Sequence, residues 1–185
     1  MKSSAIVYVL SGVRLLRTDD SGAHFTDVAP PGLNLPCDAA ECYRSPSDII
    51  LDEGDPLRVF AMVMTSATPF VPYLYMYQES RDRGATWVEL PGRFPRQRLY
   101  PDPNDAKVLY LAGTGGVRKS RDGGQTWFDV VSGLDDYSVC KLHVSRQTPG
   151  IVYATTCADD RPQGGLTAVP EAGYGPLYWT TTGGE

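Results

Sequence analysis

Apolar residues in this chain fall into short runs in which β-branched and aromatic side chains dominate. Ile6-Val7-Tyr8-Val9-Leu10 comes first, followed by Val13 to Thr18 and His24 to Val28. A second group reads Asp48 to Leu51, Arg58 to Met64, Tyr73 to Ser80 and Thr86 to Leu90. A third reads Gln97 to Tyr100, Val108 to Ala112, Val117 to Ser120 and Thr126 to Val130. A fourth reads Val139 to Val144, Ile151 to Thr155 and Leu177 to Thr181. Gly, Pro, Asp and Asn bound these runs, so each predicts a short strand closed by a turn. Within a group the strands are a, b, c and d. The first group lacks a and the last lacks d.

The turn between c and d repeats. Ser80-Arg81-Asp82-Arg83-Gly84-Ala85-Thr86-Trp87 returns as Ser120-Arg121-Asp122-Gly123-Gly124-Gln125-Thr126-Trp127. Thr18-Asp19-Asp20-Ser21-Gly22-Ala23-His24-Phe25 is a looser copy, with His24 standing where Thr belongs. Thr180-Thr181-Thr182-Gly183-Gly184-Glu185 is a fourth, with Thr182 in the place of the Asp. Four-stranded antiparallel units that recur every ~40–50 residues predict an all-β chain built as a β-propeller or propeller segment of about four blades. Their limits are expected near 5–28, 48–90, 97–130 and 139–185. With no first a and no final d, an incomplete ring is expected, closed by another chain or by missing sequence.

The pattern S-x-D-x-G-x-T-W resembles the Asp-box, or BNR repeat. Its bearers include sialidases, sortilin receptors, xyloglucan-degrading glycosidases and photosystem II assembly factors. The resemblance implies the propeller fold with Asp-box turns but does not single out an activity. The motif's own chemistry reads as structural. An Asp carboxylate can accept hydrogen bonds from its own turn, and Gly supplies a positive φ. Asp20, Gly22, Asp82, Gly84, Asp122 and Gly124 are therefore expected to shape turns. Trp87 and Trp127 are expected to begin strand d and bury apolar surface between units. One carboxylate per turn falls short of the ~6–8 oxygens a hard cation takes, so no metal and no cofactor are expected.

In an up-and-down unit the a–b and c–d turns share one edge, and the b–c and d–a connections share the other. The second set holds the long stretches: Ala29 to Ser47, Thr65 to Pro72, Pro91 to Arg96, Ser132 to Tyr137 and Ala158 to Pro176. Long loops gathered on one face of a rigid scaffold are where function usually sits. Acidic and aromatic groups concentrate there. Tyr43, Arg44, Phe70, Tyr73, Asp135, Tyr137, Asp159, Arg161 and Tyr174 form the expected binding face for a protein partner or a glycan.

Two function classes follow. The first is a non-catalytic binding or assembly module. The alternative is a glycoside hydrolase, which needs two suitably spaced carboxylates; Asp136, Asp160 and Glu171 are the candidates. A typical sialidase is not expected, because the F/Y-R-I-P signature and the arginine triad do not map onto this sequence. A formal charge of −5 and scattered basic residues argue against nucleic acid, and no apolar run is long enough to span a bilayer. Ala5 to Leu10 is too short for a signal peptide and reads as a strand. Four cysteines remain. Cys37 and Cys42 lie in one loop, and a hairpin turning at Arg146 to Gly150 places Cys140 near Cys157. Two local disulfides would fit a secreted or periplasmic protein; four buried thiols are the other reading.

Overall fold

The computed structural model describes residues 5–12, 14–31, 43–66, 74–130, 138–157 and 174–184. It is all-β. Strands β1 (Val7–Ser11), β2 (Arg14–Thr18) and β3 (Thr26–Asp27) make the first sheet, in that order. The second runs β4 (Tyr43–Leu51), β5 (Val59–Ser66), β6 (Leu74–Ser80) and β7 (Val88–Glu89), and β8 (Phe94–Pro95) also pairs with β6. The third runs β9 (Gln97–Pro101), β10 (Leu109–Gly113), β11 (Gly116–Ser120) and β12 (Phe128–Asp129). The fourth holds β13 (Val139–Val144), β14 (Val152–Cys157) and β15 (Tyr174–Thr180). Every pairing is antiparallel. Successive meandering sheets of this kind are propeller blades.

The chain divides into two compact units, Met1–Pro95 and Arg96–Glu185. In the first unit Leu15, Val59, Phe60, Ala61, Val63, Met76 and Tyr77 are buried. In the second, Tyr110, Ala112 and Val117 of the third sheet pack with Leu142, Val144, Val152 and Ala154 of the fourth. Alternate residues of β13 and β14 face this core, as the period of 2 in a strand requires.

Several boundaries differ from the sequence expectation. Strand d spans only two residues in each sheet that has it. Thr86 and Thr126 are drawn into the preceding turn by their hydrogen bonds to Asp82 and Asp122. Trp87 and Trp127 therefore precede the strand rather than begin it, and both are half-buried. Strand β4 starts at Tyr43, inside the expected loop, because its pairing with β5 continues past a bulge between Pro46 and Asp48. A bulge is where a strand tolerates a residue without an N–H. Strand β5 likewise runs on to Ser66, and β15 starts at Tyr174. The expected loop Pro91 to Arg96 contains β8. Phe94 packs over Gly92, where an added Cβ would lie 2.7 Å from its ring, and its ring centroid sits 5.9 Å from that of Tyr77.

Candidate functional site

At one edge of the second, third and fourth sheets the two turns are tied together. In the second sheet the Arg83 N–H donates to the Leu57 carbonyl at 2.9 Å; in the third Gly123 donates to Lys107 at 2.8 Å; in the fourth Gly183 donates to Gly150 at 2.7 Å. The a–b and c–d turns therefore share an edge. The a–b turns repeat as well. Asp52 and Asp102 accept from the N–H two residues on, as do Asp55 and Asp105, which is the usual Asx-turn bonding.

The c–d turn is an anion held by its own donors. Asp82 Oδ1 accepts from the Ser80 hydroxyl at 2.7 Å and the Thr86 N–H at 2.8 Å, and Oδ2 accepts from the Thr86 hydroxyl at 2.6 Å. Asp122 makes the same bonds to Ser120 and Thr126. In the first copy Thr18 replaces Ser, and His24 Nδ1 stands 2.6 Å from Asp20 Oδ2, where the Thr hydroxyl would be. The Thr86 and Thr126 bonds hold Asp82 and Asp122 at about 2, below the ordinary carboxylate value. The His24 backbone N–H, then its ring, hold Asp20 lower still. Carboxyls of this kind are ionised at neutral pH and cannot serve as general acids. Among the described residues, no three His, Cys, Asp or Glu groups come together as a metal site would require.

Two consecutive residues in each turn have positive φ. Ser21 and Gly22 are at 62° and 99°, Arg83 and Gly84 at 60° and 90°, Gly123 and Gly124 at 75° and 92°, and Gly183 and Gly184 at 67° and 87°. The second of each pair is always Gly. At Gly84 an added Cβ would come within 3.0 Å of the Val28 Cβ, and at Gly184 within 2.2 Å of the Val130 Cγ1. The indole N–H of Trp87 donates to the Val28 carbonyl at 2.9 Å. The second and fourth of these turns thus rest on the tail of the sheet that precedes them within the same unit.

A cation one residue before the hydroxyl completes the join, and sequence reasoning missed it. Arg17 donates to the Arg83 carbonyl at 2.8 Å. Lys119 donates to the Gly183 carbonyl at 3.1 Å, beside the Tyr110 hydroxyl at 3.3 Å. The available signal was the basic residue ahead of Thr18 and Ser120. Glu79 holds that position in the second sheet and is bonded instead to the buried Arg58, which also reaches Asp52.

Of the expected binding face, Tyr43, Arg44 and Tyr174 lie among the described residues. Backbone pairing places Tyr43 and Arg44 in β4, opposite Ser66 and Thr65, and Tyr174 in β15, opposite Cys157. These three are strand residues, not loop residues. A disulfide joins Cys140 to Cys157, with Cα atoms 5.1 Å apart. Phe70, Tyr73, Asp135, Tyr137, Asp159 and Arg161 lie outside the described residues, as do Cys37, Cys42 and the candidate carboxylates Asp136, Asp160 and Glu171. In the first and third sheets the b–c connection is short, with Ser11 paired to Arg14 and Gly113 paired to Gly116.

The fold is that of β-propeller proteins. Along 99% of its length the chain is similar to 27% of a GH74 enzyme from Niastella koreensis, with a TM-score of 0.57 and 20% identity. An ancestral GH74 enzyme matches 88% of the chain over 22% of its own, with a TM-score of 0.57 and 18% identity. In sequence, a xyloglucanase of Acetivibrio thermocellus is 35% identical over 103 residues, 49% of this chain and 12% of the relative. A xyloglucanase of Hypocrea jecorina is 30% identical over 147 residues, 71% of this chain and 17% of the relative. The chain thus spans less than a fifth of these relatives' length. No family model matches it. No helix among the described residues is long and apolar enough to cross a membrane.

Proposed function

We propose that the chain is a segment of a propeller-type glycoside hydrolase acting on xyloglucan outside the cytoplasm. The observation that carries this reading is the 30% identity to a xyloglucanase that extends over 71% of the chain. The Cys140–Cys157 disulfide supports an oxidising compartment. We read the c–d turns as Asp-boxes that brace blades near 5–28, 48–90, 97–130 and 139–185 and take no part in chemistry. The long-loop face, with Tyr43, Arg44, Phe70, Tyr73, Tyr137 and Tyr174, is then where a glucan would lie, and Asp136, Asp160 and Glu171 are the carboxylates to examine. Aromatic rings beside acids suit a sugar chain, since apolar ring faces stack and hydroxyls hydrogen-bond.

Native gel electrophoresis with xyloglucan in the gel, together with release of reducing ends from the same polymer, tests the reading. Retardation with hydrolysis supports it, and Asp136→Asn, Asp160→Asn and Glu171→Gln then locate the pair. Retardation without hydrolysis favours a non-catalytic glycan-binding module. Neither retardation nor hydrolysis overturns the hydrolase reading and leaves a protein partner as the ligand to seek.

A further inference from the structure

At the end away from its tied turns, the fourth sheet has its register broken on both sides of β14. Between β13 and β14 the pairs run from Val144 with Val152 to Lys141 with Thr155. The next is Val139 with Thr156, so Cys140 is left over. Between β14 and β15 they run from Val152 with Thr180 to Thr155 with Leu177. The next is Cys157 with Tyr174, so β15 also holds one residue too many, within Gly175-Pro176. Each surplus residue makes a bulge, and a bulge re-aims the chain beyond it. A slip of one position there would reverse the side that each residue presents.

Little in the ladders guards that register. In the first and third sheets a tight turn sets it, pairing Ser11 with Arg14 and Gly113 with Gly116. In the second, β5 and β6 pair without a break from Val59 with Ser80 to Thr65 with Leu74. Four pairs, from Pro46 to Tyr43, follow the bulge in β4. In the fourth, β14 and β15 are connected through 158–173, far beyond a turn that could dictate a register. One pair follows the bulge on each side, and Pro176 has no N–H to contribute. The disulfide lies at this level. It joins the surplus Cys140 to Cys157, the partner of Tyr174, with Cα atoms 5.1 Å apart. The Cys157 N–H donates to the Ser138 carbonyl at 2.9 Å. Segment 131–137 ends at Ser138, and 158–173 runs from Cys157 to Tyr174.

We propose that the Cys140–Cys157 disulfide is a positioning element for the glycan face: it fixes the shifted register of the fourth sheet and, through it, the place of Tyr174. The covalent bond does in this sheet what the unbroken b–c ladder does in the second. The register is a property of the fold alone. Its consequence for a bound glucan rests on the reading of the chain as a segment of a xyloglucan hydrolase.

Nuclear Overhauser contacts between backbone protons test the register, and a double-mutant cycle in the xyloglucan gel tests its consequence. In the wild-type chain Cys157 and Tyr174 are expected in contact, as are Tyr153 and Trp179. With Cys140→Ser and Cys157→Ser together, the 157–174 contact is expected to be lost while that of Tyr153 with Trp179 stays. Should this variant lose its β-sheet circular dichroism, Cys140→Val with Cys157→Val, which keeps apolar bulk on both strands, replaces it. Removing the disulfide should weaken retardation by roughly tenfold, about as much as Tyr174→Ala, and the two together by no more than either alone. A 157–174 contact that persists without the disulfide overturns the proposal. So do losses that add in the combined variant, since Tyr174 would then be placed by other means. A wild-type chain that is not retarded at all refutes the glycan reading, and the contact then decides the positioning by itself.

Discussion

The turns of the second and fourth sheets take the same backbone path by different means. Arg83 and Gly84 have φ of 60° and 90°, and Gly183 and Gly184 have 67° and 87°. The second-sheet turn closes around a carboxylate that receives three bonds from Ser80 and Thr86. The fourth has Thr182 there, with its hydroxyl 3.2 Å from that of Thr180, and the Thr180 hydroxyl accepts from the Thr182 and Gly184 N–H groups at 3.2 and 3.3 Å. Both turns keep the bond to their a–b turn and a cationic donor on the fourth residue's carbonyl, that of Arg83 or Gly183. The shape therefore belongs to the glycine, the tie between turns and the grip of the preceding sheet. The carboxylate adds rigidity to a conformation already specified.

That comparison orders the expected effects of mutation. Gly184→Ala should be the most damaging, because its Cβ would meet Val130 at 2.2 Å from a left-handed backbone. A loss of about 3 kcal/mol in urea unfolding is expected; a neutral result would show that the fourth turn can relax and that its backbone is not held. Lys119→Met comes next. It removes one donor from the buried Gly183 carbonyl but leaves Tyr110, so about 1–2 kcal/mol should go. An equal change from Arg17→Met would place the two clasps on one footing.

Asp82→Ala and Asp122→Ala should lower Tm by a smaller amount while leaving glycan retardation unchanged. The wild-type turns add a pH signature. A carboxyl whose folded value lies near 2, below its ordinary 3.8, contributes stability that is complete above the unfolded value. That contribution fades as pH falls from about 4 towards 2. Melting of the two Ala variants should therefore converge on wild type in acid. Parallel curves instead would mean that the carboxylates are not what the Thr and Ser groups hold. The smallest effect is expected from Thr182→Asp, which restores the missing carboxylate and should raise Tm slightly. No change would show that the Lys119 clasp has already fixed the turn.

Much of the scaffold could be read in the chain before any coordinates. Ser80–Trp87 and Ser120–Trp127 announce a repeated hairpin, and their spacing announces repeated sheets, because a local motif satisfies its own hydrogen bonds whatever surrounds it. His24 could even be recognised as standing in for Thr, and it bonds Asp20 as Thr86 bonds Asp82. The misjudged boundaries involve partners distant in sequence. Tyr43 and Arg44 look like loop residues until β5 is laid beside them. Pro91 to Arg96 looks like a loop until Phe94 finds Tyr77. Pairing length depends on what the neighbouring strand offers, and one strand's composition does not contain that.

The candidate site divides in the same way. The turn at 146–150 brings Cys140 near Cys157, so a bridge could be expected from the sequence beside the alternative of free thiols, and the structure has the bridge. Arg17 and Lys119 look like ordinary exposed charges, and only the approach of the next sheet's turn makes each a clasp. The order of residues determined the repeat, the turn chemistry and the edge on which the turns lie, because these rest on bonds within a few positions. Tertiary structure decided which faces are covered and which carbonyls are gripped, because burial is a property of neighbouring sheets and not of the strand that carries the residue.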